Sequence, residues 1–171
     1  MGTVRHLLAP EEAAFASTSF PAFVKNAGTN FPVTGLAFDG ATDEKAYFKR
    51  TLVAYGSGDL TLSLTWYADT DTTADHTVRW EAAIACITPD TDTQDVETKA
   101  FATAQTVDDT HLGTTGQRLH RCEITISNVD SAADGDVIWL RLSRLGSATA
   151  PADSLTGDAI FIAGELSYSD T

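Results

Sequence analysis

The stretch WYADTDTTADHTVRW, residues 66–80, sets three carboxylates (Asp69, Asp71, Asp75) and one imidazole (His76) between two aromatic-bearing runs. Oxygen ligands so closely spaced suit a hard cation such as Ca²⁺. An EF-hand loop requires a glycine at its sixth position and a bidentate glutamate at its twelfth. Counted from Asp69, those positions hold Ala74 and Trp80, so that motif is excluded. Two readings stay open: a looser Ca²⁺ site shared with the second acidic run PDTDTQD (Asp90, Asp92, Asp95), or Asp and Thr alternating in solvated turns.

The remaining chemistry-bearing residues are scattered. His6, His76, His111 and His120 show no HExxH or His-x-His spacing that would place two imidazoles on one metal. No GxSxG elbow occurs, and GSG at 56–58 reads as a hairpin turn. Glu81 and Glu123 fall on outward strand phases, where they read as surface carboxylates rather than a glycosidase pair. The glycines form neither GxGxxG nor a P-loop. The expectation is a non-enzymatic protein without a cofactor. Cys86 and Cys122 lack CxxC spacing and read as buried free thiols or as one bridge between neighbouring strands.

Three tryptophans raise the question of carbohydrate binding, because sugar rings stack on flat exposed indoles. Trp66 and Trp80 share the apolar phase of their strands and read as core. Trp139 shares its phase with Val137 and Arg141, opposite Ile138, Leu140 and Leu142, and is expected to point outward. An outward aromatic beside an arginine suits a subunit interface or a glycan platform, and the interface is favoured.

The elements that would position these residues are strands. In DLTLSLTWY, Leu60, Leu62, Leu64 and Trp66 take one face and Thr61, Ser63, Thr65 and Tyr67 the other. TVRWEAAIACI alternates in the same way, and the opening loop is expected to join the two as an antiparallel pair. Six further runs, at 35–38, 45–53, 96–107, 118–127, 136–145 and 157–168, bring the expected total to eight strands, separated by turns rich in Gly, Asp, Ser and Pro. This pattern predicts an all-β fold, a two-sheet antiparallel β-sandwich of eight-stranded jelly-roll type over residues 33–171.

Residues 1–32 differ. Their Pro21 and Pro32 favour extended backbone, their charges nearly cancel, and they carry Leu7, Leu8, Phe15, Phe20, Phe23 and Phe31. Two readings stand: an arm that is mobile until it attaches to a partner, or a segment folded back over its own domain. The chain of 171 residues with 43% apolar content suits one domain, and its start has no apolar core of the secretory type. A formal charge of −13, from 24 acidic against 11 basic residues, argues against nucleic acid and anionic membranes as partners.

Several motifs also occur in a fixed order: FDGATDEKAYF, GDLTLSLTWYA, VRW, FATAQT, GDVIWLRL and DSLTGDA. With them, residues 29–168 resemble a small β-domain of virion structural proteins of tailed bacteriophages. The resemblance implies a structural role: a capsid decoration or cement protein on the outer head surface, with the major capsid protein and copies of itself, as a homotrimer, for partners. The interface candidates are then Leu7, Leu8, Phe15, Phe20, Phe23, Phe31, Val137, Trp139 and Arg141. The alternative is a receptor- or carbohydrate-binding domain of a tail fibre or tail tip.

Overall fold

A computed structural model of the chain describes residues 2–71 and 73–170. Ten strands alternate with turns: β1 (Thr3–Leu8), β2 (Ala22–Asn26), β3 (Val33–Phe38), β4 (Asp43–Thr51), β5 (Leu60–Ala68), β6 (Thr77–Ile87), β7 (Gln105–Thr110), β8 (His120–Ile126), β9 (Val137–Leu145) and β10 (Ala159–Ser169). A short 3-10 turn, Pro10–Glu12, lies between β1 and β2. The larger sheet runs β2-β3-β10-β5-β8, with β1 also paired to β10; the smaller runs β4-β9-β6-β7. Every pairing is antiparallel.

The all-β sandwich is as the alternation predicts, and the inward phases of β5 and β6 line its core. Trp66 and Trp80 are fully buried, their rings meeting edge to face at 6.2 Å, and Phe38 stands edge-on to Trp80 at 5.2 Å. β5 and β6 are not neighbours, contrary to expectation. β5 lies between β10 and β8 in the larger sheet, and β6 lies between β9 and β7 in the smaller. Their connection crosses the roughly 10 Å between layers, so the two apolar faces oppose each other through the core instead of lying side by side.

Among the described residues ten strands stand where eight are expected, because the first 32 residues supply two. β1 pairs with β10 from Thr3↔Ser169 to Leu8↔Gly164, and β2 pairs with β3 from Ala22↔Ala37 to Asn26↔Val33. The prolines do not prevent this, because Pro21 and Pro32 stand just before β2 and β3 and remove no donor from within either strand. Leu8, expected at an interface, is 1% exposed in the core. It packs over Gly164, where a side chain would meet Leu8 and the Phe161 ring. The acidic turn is tied down too: Glu12 pairs with Arg50, and Thr34 donates to Glu11.

The loop between β9 and β10 is held by Arg144, whose side chain is fully buried with that of Asp153. All five guanidinium N–H groups are used. Two go to the Asp153 carboxylate at 3.0 and 2.8 Å, and three go to the carbonyls of Phe38, Gly157 and Leu155 at 2.7–3.0 Å. The Asp153 carboxylate also accepts the Arg79 backbone N–H.

Cys86 and Cys122 are free thiols on β6 and β8, in different sheets. Burial, with Asp130 and Asp136 nearby, pushes the Cys86 thiol up to about 12, and burial pushes Cys122 up as well. Cys86 is accordingly expected to escape iodoacetamide in the folded protein at mildly alkaline pH and to be modified in guanidinium, as read by intact mass. Rapid labelling of the native state would contradict its buried placement.

Candidate functional site

The acidic loop that opens the sequence question is a structural clasp. Asp71 is almost fully buried, and its Oδ2 accepts from His76 Nδ1 at 2.7 Å and from the Thr156 N–H and hydroxyl at 3.0 Å each. Its Oδ1 accepts the Thr73 N–H at 2.8 Å. Burial works to raise this carboxyl, but the hydrogen bonds outweigh it and hold Asp71 well below the ordinary carboxylate range. Asp92 and Asp95 close their own turn on the backbone N–H groups of Thr88 and Glu97. A Ca²⁺ site shared by the two acidic runs is ruled out by their placement. One run precedes β6 and the other follows it, so 11 residues of extended strand separate them, roughly 36 Å. Among the described residues, no group of three or more His, Cys, Asp or Glu is placed to hold a metal ion.

The other candidates for chemistry are dispersed. His6 meets the Tyr168 hydroxyl at 3.0 Å. His111 and His120 are buried together, ring centroids 4.8 Å apart, with His120 stacked on Trp66 at 4.7 Å. Glu81 belongs to the smaller sheet and Glu123 to the larger, on opposite outer faces, so they form no carboxylate pair.

A concave surface does form on the outer face of the smaller sheet. Strand alternation turns Tyr47 of β4, Trp139 and Arg141 of β9, and Glu81, Ala83 and Ala85 of β6 away from the core. Ala85 lies directly opposite Trp139, and Ala83 opposite Arg141, so small side chains leave a depression beside the indole and the guanidinium. Two segments wall it. On one side Ala14 exchanges backbone hydrogen bonds with Tyr47 at 2.8 and 3.0 Å, and the Lys45 N–H binds the Ser19 carbonyl at 2.9 Å. On the other, Ala102 donates to the Ile84 carbonyl at 2.9 Å, and Lys99 pairs with Asp130 at 3.0 Å.

The closed end is aromatic. Phe101 lies 5.9 Å from the Tyr47 ring, with the Arg141 guanidinium 5.1 Å from its centroid, a cation–π contact. Glu81 fixes Arg141 from the far side at 2.9 Å. The resulting groove has a volume of about 340 Å³ and is floored by Trp139, Tyr47 and Ala85, with Phe15, Val96 and Lys99 on its walls. That falls at the small end of the range of small-molecule sites. Trp139 and Tyr47 are partly exposed, so each offers an apolar face together with a polar tip.

The structure brings together only some of the expected interface residues. Trp139, Arg141 and Val137 share the outer face of β9, and Phe15 reaches the groove while packing on Phe20 at 5.8 Å. Leu7 is exposed along β1, and Phe23 and Phe31 lie on β2 and just before β3, in the other sheet's territory. Sequence reading missed Tyr47 and Phe101. Tyr47 was within reach, since it holds the outward phase of its strand, whereas Phe101 sits in a segment with no periodicity to orient it.

A scan against protein-family models finds no match, and a search of curated proteins finds none. Solved structures do match in outline. A carbohydrate-binding module of family 28, specific for non-crystalline cellulose, is 7% identical with a TM-score of 0.46, covering 91% of this chain and 85% of its own. A family 35 module from Cellvibrio japonicus is 13% identical with a TM-score of 0.46, covering 98% and 95%. The mannan-recognising module TmCBM27 is 11% identical with a TM-score of 0.42, covering 99% of each chain.

Proposed function

We propose that the protein is a non-enzymatic recognition domain that binds carbohydrate in the groove over Trp139. The observation that carries this reading is the partly exposed pair of Trp139 and Tyr47 on one sheet face, framed by two segments that close the groove's sides. A sugar ring has C–H faces that stack on an indole or a phenol and hydroxyls at its rim. The Trp139 N–H, the Tyr47 hydroxyl, Glu97 and Lys99 supply polar partners around that face. Replacing Trp139 by alanine is expected to weaken binding of a responsive glycan at this groove at least tenfold, read from the resonances of Tyr47 and Lys99 on titration, with the fold retained, because Trp139 faces away from the core. Unchanged glycan binding would remove the groove from the account.

A second reading, a decoration protein on a bacteriophage head, is supported by the order of sequence motifs and by the exposed apolar side chains of the N-terminal segment. Phe15, Phe20 and Phe23 are 40–50% exposed and Leu7 is 74% exposed, which suits contact with a capsid protein or with further copies of the chain. Light scattering of the purified protein, together with its copy number on particles, distinguishes a capsid-lattice component from a module carried by something else.

A further inference from the structure

We infer that a second groove, on the outer face of the larger sheet, is a binding site for a neutral oligosaccharide, so that one molecule joins two glycan chains from opposite sides of the sandwich. The inference takes its ligand class partly from the carbohydrate reading above, while its site is built from different residues. The groove has a volume of about 910 Å³. Its floor is Tyr67, Val33 and Ile162, which pack with Ala37, Ile160 and Val24 in an apolar cluster separate from the core. Phe31, 68% exposed, and Leu119, 58% exposed, stand on its walls.

The polar groups over this floor are arranged for hydroxyl partners. Asn26 donates its amide N–H to the Tyr67 hydroxyl at 2.8 Å, which leaves the phenolic proton and the Asn26 carbonyl to act outward. Gln117 donates to the Asp69 carbonyl at 2.9 Å, which leaves its own side-chain oxygen as an acceptor. Acidic Asp69 lines the same groove, and among the described residues no Lys, Arg or His lines it. An anionic ligand would meet a carboxylate with no cation to offset it, on a chain already at −13. A ring bearing hydroxyls on an apolar face is matched on both counts: its O–H groups donate to Asn26, Gln117 and Asp69, and its C–H face covers Phe31. The turn that carries Phe31 is tight: Gly28 is left-handed (φ 62°), and a Cβ there would stand 2.2 Å from the Phe31 carbonyl oxygen.

The test is titration calorimetry with neutral β-1,4-linked gluco-, manno- and xylo-oligosaccharides, using the intact chain, Trp139→Ala and Asn26→Ala/Gln117→Ala, all first shown to melt as the wild type does. The expected result is two equivalents of the best oligosaccharide on the wild type and one on each variant. The side-chain amide resonances of Asn26 and Gln117 should shift on titration even in Trp139→Ala. The wild type should also cloud a solution of the matching polysaccharide, and neither variant should. One equivalent on the wild type and none on Trp139→Ala would overturn the second site while leaving the Trp139 groove standing. One equivalent retained in Trp139→Ala and lost in the double variant would overturn the bridging arrangement and the Trp139 reading together. No binding of any of the three sugars would overturn both.

Discussion

Replacing Arg144 by alanine is expected to lower the unfolding free energy by about 3–5 kcal/mol, the range for removing one partner of a buried, hydrogen-bonded ion pair. Against a total stability of about 5–15 kcal/mol for a domain, that leaves the protein marginal. Asp153 would be left charged and buried, and the carbonyls of Phe38, Leu155 and Gly157 would lose their donor at the same moment. Those carbonyls separate this clamp from a simple ion pair. Exchanging both charged residues for apolar ones of similar volume relieves an isolated pair at little or no cost. Here Arg144→Met/Asp153→Leu should still destabilise, because buried acceptors without donors cost about 1–3 kcal/mol each. Chemical denaturation measures both variants. A loss under 1 kcal/mol for Arg144→Ala would show that the β9–β10 loop does not depend on the guanidinium.

Asp71→Asn is expected to cost about 2–3 kcal/mol, since an amide cannot accept from Thr73, His76 and Thr156 as the carboxylate does, and its NH₂ would face other donors. The pH dependence follows from the sign of the shifts. Asp71 has its carboxyl lowered from the ordinary 3.8, so its contribution is present above that pH and is lost as pH falls below it toward the folded-state value. His120 works in the same direction, in a higher pH window. Burial, reinforced by His111, lowers its imidazole below 6.5, so the unfolded chain takes up the proton first and stability declines as pH drops through 6.5. Acid unfolding should therefore proceed in two stages: a decline beginning near pH 6.5, shared with the lowered imidazole of His6, that His120→Phe reduces, and a second below pH 3.8 that Asp71→Asn reduces. A wild-type stability constant from pH 7 to pH 5 would contradict the buried neutral state of His120.

Period-two alternation made the strands legible, and with them the burial of Trp66 and Trp80 and the outward phase of Trp139. Alternation states which face a side chain takes, not which strand lies alongside. The β5–β6 pairing was therefore misread, since two apolar faces are satisfied equally by sharing a sheet or by opposing each other across a core. Residues 1–32 were read as a mobile arm or a folded-back segment from Pro21 and Pro32. Their position at strand boundaries, where a missing N–H costs nothing, is a matter of register that composition does not carry. The groove was the least legible feature. Its walls come from residues 14–16 and 96–101 and its floor from Tyr47, Ala85 and Trp139, positions that only the closed sandwich brings together.

The central claim, that the outer face of the smaller sheet is a recognition surface, is tested most directly by following the three indole N–H resonances while oligosaccharide is added. Trp66 and Trp80 are fully buried and serve as internal controls, whereas Trp139 lines the groove. The Trp139 signal is expected to move in a saturable way with a responsive sugar while the other two stay in place. A saturable response that leaves Trp139 unmoved would contradict the claim.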